Sequence, residues 1–393
     1  MNGPSLIARA KQRLRSAITL ARCRADLLLA PHGAVAFFLP LKGHYKFVQG
    51  TIATLRSQGI KVHCFTAEEH LADYRSVLAM TKVFPERFCV RIPYKVVVTP
   101  ATHVRPVVYR HPRSQVVHLP HSMVSLHTIF PNETFLGHDH VFCCGPHHVR
   151  EIEAIFRFNG QRGRPWGTGY EVIDRLGTQA LPLSQRTGKA CVLIAPTWGE
   201  NSLLYRHGRA LIDRLIHEHD IILRPHPWRM DQIAELIAGI RSDYSSHPGF
   251  TFDNAVDAKP SMDRAHIMIC DFSGTAFEFA LGYRRPVLFV DGPRKNEHLA
   301  YRSILDEEGI EVRGRGRIGR IVNDLDELLA AIPPMLDSLP DWYEKLTERR
   351  SEFLFNYGRC AETAASAIRT ILGSGSPGSR RTAKGAGESC GLG

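Results

Sequence analysis

The sequence predicts an α/β protein in which two Rossmann-like parallel-sheet domains face each other across a cleft. Short apolar segments of strand length alternate with helical patterns along most of the chain, which is typical of parallel sheets covered by helices on both faces. The length of 393 residues exceeds one ordinary core and indicates two or three domains. A stretch dense in Gly, Pro and Arg at 158–169 separates two similar alternating sets.

The composition limits the class of protein further. Hydrophobic residues make up 44% and charged residues 23%, which excludes a disordered or collagen-like chain. The most apolar stretch, 25–40, is interrupted by Asp26, Pro31 and His32, so neither a membrane-spanning helix nor a signal peptide is expected. The nine cysteines contain no CxxC pair, so no disulfide framework or zinc ribbon is predicted. We therefore expect a cytoplasmic protein.

The net charge of +11 is concentrated at the two ends of the chain, because residues 1–30 contribute +5 and residues 373–393 contribute +2. The body lacks the basic stripe expected of a nucleic-acid-binding protein, so no nucleic-acid partner is predicted. The end segment 373–393 also lacks an apolar pattern and is predicted to be disordered.

Residues 1–30 are predicted to form a basic amphipathic helix. Apolar residues recur there at helical spacing, with arginines on the other side: Leu6, Ala10, Leu14, Ala17, Ile18, Ala21, Ala25 and Leu28. The stripe could pack on the main body, or the helix could lie on an anionic membrane surface. The first interpretation is favoured because the stripe is rich in alanine and has no Trp or Phe anchor.

The first domain is predicted over 31–165. Its apolar strands are predicted at 34–39, 60–65, 95–99, 114–119 and 140–143, with helices over 44–57 and after Pro146.

The second domain is predicted over 170–340 and is expected to bind a nucleotide. Strands are predicted at 190–195, 220–223, 249–252, 265–270 and 286–290, and helices near 201–218, 229–240, 275–281 and 325–331. Helices near 340–356 and 360–372 form a closing segment, 341–372.

Two familiar patterns do not predict a site. Gly314, Gly316 and Gly319 fit GxGxxG, but arginines alternate with them and no convincing strand precedes them, so a dinucleotide site is not predicted. The histidine pairs 138/140 and 217/219 have no clear third ligand, so no metal site is predicted.

Two segments of the second domain predict a site for a nucleotide diphosphate. Arg224 and His226 follow an apolar strand and suit a phosphate-bearing ligand, although His226 could simply cap its turn. Ser273, Gly274 and Thr275 follow another strand and begin a helix, where unpaired amides and the helix dipole attract anions; Ser273 could equally be an ordinary N-cap.

Two further side chains complete the predicted site. Glu278 lies about one turn into the helix that begins near Ser273, where it could accept hydrogen bonds from ribose hydroxyls. In the first domain, a strand delivers His121 at its carboxyl end, and an imidazole there could act as a general base. His118 is predicted to point into the sheet, and His127 is a weaker alternative base.

Four segments together resemble one known family. They are APTW at 195–198, RPHP at 224–227, CDFSGTAFEFALGYRRPVLFVD at 270–291 and NYGRCAETAASAI at 356–368. This order is similar to that of the CDP-glycerol:polyglycerophosphate glycerophosphotransferases, teichoic-acid-type enzymes with a GT-B fold. The resemblance is specific over about 190–370 and weaker over 30–165.

The resemblance implies roles for individual residues. His121 matches the family's N-terminal catalytic histidine and His226 its second essential histidine. The family's phosphate-binding turn matches Asp271, Ser273, Gly274 and Thr275. Its acidic residue at the nucleotide matches Glu278, and its threonine-tryptophan loop contains Thr197. The chain departs from the family pattern where Pro120 and Ser122 replace Trp and Gly, where no lysine closely follows His121, and where Gly274 replaces a second serine.

The function implied by the resemblance is transfer of glycerol phosphate, or a related polyol phosphate, from a CDP-activated donor. His121 would deprotonate a hydroxyl of a glycan or lipid-linked acceptor, and CMP would leave, its charge met by Arg224, His226 and the turn amides. No metal cofactor is required, although Mg²⁺ could accompany the nucleotide. The enzyme would be cytoplasmic, free or on the cytoplasmic face of the membrane.

Two other functions stay open at this point. The same fold could serve a glycosyltransferase or sugar epimerase that uses a nucleotide sugar. A non-catalytic protein that docks on a membrane or an anionic polymer through its basic ends is the third possibility.

Overall fold

The computed structural model describes residues 6–30, 33–78, 81–177, 188–227, 230–294 and 300–374. Its first sheet has seven parallel strands in the order β3-β2-β1-β4-β5-β6-β7. The strands are β1 Ala34–Phe38, β2 Lys61–Thr66, β3 Lys82–Pro85, β4 Val96–Thr99, β5 Gln115–His118, β6 His140–Cys143 and β7 Arg164–Gly167.

The second sheet has six parallel strands in the order β10-β9-β8-β11-β12-β13. They are β8 Cys191–Ile194, β9 Asp220–Leu223, β10 Phe250–Phe252, β11 Ile267–Cys270, β12 Val287–Val290 and β13 Gly319–Val322. Both orders reverse direction beside the first strand of the sheet, as in doubly wound folds. The predicted fold class is confirmed.

Helices cover the sheets and connect their strands. In chain order they are α1 Leu6–Leu28, α2 Gln49–Ser57, α3 Leu71–Val77, α4 Leu126–Ile129, α5 Pro146–Phe158, α6 Glu171–Arg175, α7 Leu203–Leu215, α8 Ala234–Tyr244, α9 Lys259–Arg264, α10 Gly274–Tyr283, α11 Ile310–Arg313, α12 Arg315–Ile318, α13 Leu325–Asp337, α14 Leu339–Phe353 and α15 Cys360–Gly373. A 3-10 helix over Lys42–Phe47 follows β1. None of the described helices is long and apolar enough to cross a membrane.

The core is continuous from one domain to the other. All five residues of β1 and all four of β4, β8 and β11 are buried, as expected for strands covered on both faces. One cluster of buried side chains includes Val35 and Val98 of the first sheet and Phe279 of α10. Helix α15 returns from the second domain and packs on α2 and β4. The two sheets are therefore joined by shared packing.

The sequence patterns anticipated the central strands and missed three at the edges of the sheets. β3, β7 and β13 are short, and each is partly exposed, so none has the continuous apolar run that identified the others. β7 lies inside the stretch 158–169 that we predicted as the boundary, so the first sheet extends to Gly167. The GxGxxG pattern precedes β13, which begins at Gly319; a dinucleotide loop would follow its strand instead.

Helix α1 packs on the first domain through a face that differs from the predicted apolar stripe. Cys23 is fully buried in a cluster beneath β1 and β4, with Leu20 and Leu27 beside it. Leu14 and Leu28 of the predicted stripe are 63% and 87% exposed. The expectation that this stripe packs on the body is therefore wrong for its described members. The predicted disordered segment 373–393 lies almost wholly outside the described residues.

Candidate active site

The predicted site residues converge where the carboxyl ends of the two sheets meet. His121 follows β5, while Ser273 and Gly274 follow β11, next to the points where the strand order reverses. A Cβ atom added at Gly274 would lie 2.8 Å from Ser122 Oγ. The loop after His121 therefore packs directly against the start of α10.

The turn at the start of α10 has the form of an anion site. Ser273 is the N-cap, and its hydroxyl accepts a hydrogen bond from the amide of Thr275 at 3.3 Å. The first-turn amides of a helix lack intrahelical partners and carry the positive end of its dipole. Ser273, Gly274 and Thr275 thus lie where the sequence predicted them, although ligand binding by them stays a prediction.

Asp271 has a different environment from that of a side chain directed at a ligand. Its Oδ1 accepts hydrogen bonds from the amides of Thr197 at 2.7 Å and Phe272 at 2.8 Å, and its Oδ2 from the amide of Leu203 at 2.8 Å. Burial raises the pKa of Asp271, and these amides oppose the rise. The carboxylate therefore joins the loop after β8 to the turn before α10, and Thr197 is part of that junction.

Arg224 lies after β9 and is anchored beside the cleft. Its guanidinium donates to Asp253 Oδ2 at 2.6 Å and to the carbonyl of Ala255 at 2.7 Å. Burial would raise the pKa of Asp253, but its hydrogen bonds and Arg224 outweigh that effect and lower it. His226 is half-buried in the same loop. Arg224 is thus held in place by a carboxylate that also neutralises part of its charge.

The ring of His121 lies among aromatic and basic side chains of the first domain. Its ring makes edge contacts with Phe47 at 5.9 Å and Phe130 at 5.8 Å between centroids. Burial lowers the pKa of His121 to about 4, with Lys46 and His103 contributing. The imidazole is therefore neutral at neutral pH, and burial and the nearby positive charge reduce its basicity.

The other two histidines considered from the sequence, His118 and His127, are buried and contact other protein groups. His118 is buried in β5 with its ring 6.2 Å from that of His121. His127 is buried between a Glu307 carbonyl, 3.0 Å from its Nε2, and Glu151, whose Oε1 is 3.6 Å from its Nδ1. Burial opposes protonation of His127, but the Glu151 carboxylate outweighs it and raises the pKa.

Two cations that the sequence analysis missed face Glu278. Lys46 comes from the 3-10 helix after β1, and Arg175 from α6 donates to the carbonyl of Lys46 at 3.1 Å. Burial raises the pKa of Glu278, while Lys46, Tyr170, Arg175 and Arg224 oppose the rise. Other carboxylates also meet these cations, because Asp253 pairs with Arg224 and Asp257 lies 3.8 Å from Arg175 and acts on Lys46. Cations and carboxylates are therefore interleaved around Glu278.

A sequence signal for these cations was present but weak. Lys46 lies a few residues after a strand end, which is where ligands bind in such sheets.

Among the described residues, no group of three or more His, Cys, Asp or Glu side chains is arranged to hold a metal ion.

Comparisons with solved structures place this architecture among known folds. The wall teichoic acid polymerase TagF is similar with a TM-score of 0.56 and 15% identity, over 93% of this chain and 97% of that one. A TagF variant soaked with CDPG gives a TM-score of 0.55 at 13% identity, over 94% and 98%. The UDP-GlcNAc 2-epimerase of Methanocaldococcus jannaschii, in complex with UDP-GlcNAc and UDP, gives 0.59 at 13%, over 86% and 99%. At these identities the likeness shows the fold alone.

The sequence comparison identifies the family. A search of curated protein sequences finds no match. The family profile of CDP-glycerol:poly(glycerophosphate) glycerophosphotransferases matches residues 157–363, which is more than half of the chain and includes the turn at Ser273 and the loop at Arg224. The chain therefore belongs to the CDP-glycerol:poly(glycerophosphate) glycerophosphotransferase family and is an enzyme of that type.

Proposed function

We propose that the cleft binds CDP-glycerol and transfers its glycerol phosphate to a hydroxyl of a glycan-type acceptor. The observation that carries this proposal is the arrangement of charge around the cleft. Lys46, Arg175 and Arg224 gather around Glu278, beside the turn whose amides carry the positive end of the α10 dipole, and a neutral His121 lies on the other side. The reaction needs positive groups that bind a doubly charged diphosphate and a base that accepts the hydroxyl proton.

The proposed step is a direct displacement at phosphorus. His121 accepts the proton of the acceptor hydroxyl, and the oxygen attacks the phosphorus that bears glycerol. The bond from this phosphorus to the bridging oxygen breaks, and CMP leaves with the electron pair. Lys46, Arg224, His226 and the amides of the Ser273 turn stabilise the charge on the leaving phosphate. No protein-bound metal ion is needed for this step.

Glu278 is proposed to bind the nucleoside half of the donor. Its carboxylate lies one turn into α10, where it can accept hydrogen bonds from the ribose hydroxyls. The ionised form offers both oxygens as strong acceptors, and burial raises the pKa of Glu278. Donor affinity should therefore fall as the pH decreases through this raised pKa.

The first experiment is calorimetric titration of CDP-glycerol, CMP, UDP and UDP-sugars into the wild type and Glu278→Ala. We expect cytidine ligands to bind the wild type preferentially and to bind the variant about tenfold or more weakly, because a hydrogen-bonded charge is lost. Glu352→Ala is the matched control, since Glu352 pairs with Arg317 at an exposed position. Release of CMP with a new phosphodiester supports the proposal, whereas preference for uridine ligands and a new glycosidic bond would contradict it.

We further propose that α1 places the enzyme on an anionic membrane surface, where a lipid-linked acceptor would be found. The helix is attached to the body by Cys23 and by Asp26, which pairs with Lys82. Its opposite face exposes Leu14 and Leu28 together with the neighbouring Leu29. Residues 1–30 contain six basic side chains. An exposed apolar face with basic flanks is typical of interfacial helices.

Sedimentation with lipid vesicles tests this proposal on the full chain. Vesicles of phosphatidylcholine mixed with phosphatidylglycerol should bind the wild type, and vesicles of phosphatidylcholine alone should bind it weakly. Arg22→Gln with Arg24→Gln should weaken binding roughly fivefold for each arginine, and Leu14→Ser with Leu28→Ser should also weaken it. The control is Val107→Ser with Val108→Ser, because these valines are also exposed and lie in the first domain, outside α1. Equal binding by all variants would exclude α1 as the contact.

A further inference from the structure

Tyr170 connects the two sides of the candidate active site through one hydroxyl group. Its oxygen lies 3.0 Å from the backbone carbonyl of His121 and 2.8 Å from Glu278 Oε1. The side chain is 1% exposed. Tyr170 immediately precedes α6, between the last strand of the first sheet and the second domain. One side chain therefore contacts the proposed base segment and the proposed nucleotide-binding acid.

The position of Tyr170 is strongly constrained. Gly169 before it has φ +89°, and a Cβ there would lie 2.3 Å from the carbonyl oxygen of Phe355, so only glycine fits this turn. The ring of Tyr170 is stacked on Phe47 with centroids 6.3 Å apart and an interplanar angle of 23°. The Tyr170 side chain is therefore held in one rotamer, which fixes the position of its hydroxyl.

A hydroxyl has one hydrogen and can donate it to only one of its two acceptors at a time. An ionised carboxylate is the stronger acceptor, because charge-assisted hydrogen bonds are roughly twice as strong as neutral ones. In the ligand-free protein the hydroxyl should therefore donate to Glu278. The carbonyl of His121 is its alternative acceptor.

We infer that Tyr170 is a positioning residue of the transfer reaction, which holds the Glu278 carboxylate ready for the nucleotide and ties it to the backbone that carries His121. This inference rests on the proposed roles of Glu278 and His121. The groups that face Glu278 from the surrounding elements are Lys46, Cys144, Arg175 and Arg224, besides Tyr170 itself.

Tyr170→Phe removes the hydroxyl and keeps the ring on Phe47. Because the lost hydrogen bond favours ionised Glu278, we expect the midpoint of Glu278 ionisation to move to higher pH. Binding of CDP-glycerol should weaken on the order of tenfold, and its loss at low pH should begin at a higher pH than in the wild type. The variant is measured by calorimetric titration at several pH values.

Tyr283→Phe is the matched control. Tyr283 is a buried tyrosine of the second domain whose hydroxyl also meets a carboxylate, Asp263 at 2.6 Å, and a carbonyl, Lys259 at 3.4 Å. Tyr283→Phe should change the stability of the protein without moving the pH dependence of CDP-glycerol binding. Identical pH profiles for Tyr170→Phe and Tyr283→Phe would overturn the inference.

Carboxyl ¹³C NMR of the ligand-free protein separates this inference from the proposed function. The Glu278 signal is assigned by its absence in Glu278→Gln, and its titration midpoint should rise in Tyr170→Phe. An unchanged midpoint overturns the inference whichever nucleotide binds. Failure of the wild type to bind CDP-glycerol, with the midpoint shifted as expected, would count against the proposed function instead.

Discussion

His121→Ala lowers the turnover of CDP-glycerol by ~10²–10⁴-fold, the usual contribution of a general base, and leaves donor affinity within a few-fold of the wild type. Burial lowers the pKa of His121 to about 4, so the imidazole is neutral at neutral pH, and it is the proposed acceptor of the hydroxyl proton. It is placed after β5 in the first domain, across the cleft from the turn at Ser273. Steady-state CMP release and calorimetric donor binding measure the two effects separately.

His217→Ala is the control for this substitution. His217 is exposed after the end of α7 in the second domain, so this variant loses an imidazole and keeps the proposed base. We expect nearly normal turnover. Comparable losses of donor affinity in His121→Ala and Glu278→Ala would contradict the division of roles between them.

Lys46→Met lowers turnover by ~10²–10³-fold, the effect of removing one positioned charge donor, and also weakens donor binding. Lys46 extends from the first domain toward Glu278 and Arg224 of the second. It is the one residue of the first domain that we propose to contact the phosphates. Methionine retains an apolar stem beside Phe47, over which the ammonium lies at 4.8 Å. Kinetics at saturating and limiting CDP-glycerol measure both effects.

Lys42→Met is a close control, because Lys42 lies in the same 3-10 helix and its ammonium pairs with Asp73 at 3.2 Å on the surface. This exposed pair should contribute little. Equal kinetics for Lys42→Met and Lys46→Met would remove Lys46 from the site. Recovery of part of the activity in Lys46→Arg would support a role for its charge.

The fold could be predicted because the central strands are buried on both faces. β1, β8 and β11 consist of apolar residues, and β4 is apolar up to Thr99, whose hydroxyl donates to the carbonyl of Phe38. Such runs are expected of strands that lie between two helix layers. The edge strand β7 carries Arg164 and Trp166, whose side chains stack on each other at 3.9 Å. Such a strand is stabilised by its own exposed contacts, and its sequence has no periodic signal.

The candidate site was only half predictable for a related reason. Ser273 and His121 follow strands directly, so their place at the cleft depends on local chain order. Lys46, Tyr170 and Arg175 come close to Glu278 only because of how the folded chain packs. Asp271 shows the converse, since the structure surrounds it with backbone amides that local pattern could not reveal.

Ser122 and Gly274 separate what the sequence determined from what the tertiary structure decided. The resemblance implied glycine at position 122 and serine at position 274, and in the sequence these are two unrelated exchanges. In the structure a Cβ at Gly274 would lie 2.8 Å from Ser122 Oγ. The Ser122 side chain therefore occupies the space that a side chain at position 274 would need. Periodicity and strand-end chemistry act between neighbours along the chain, and they determined the fold class and the residue types at the cleft. Contacts between distant residues depend on the docking of two cores, which only the folded molecule establishes.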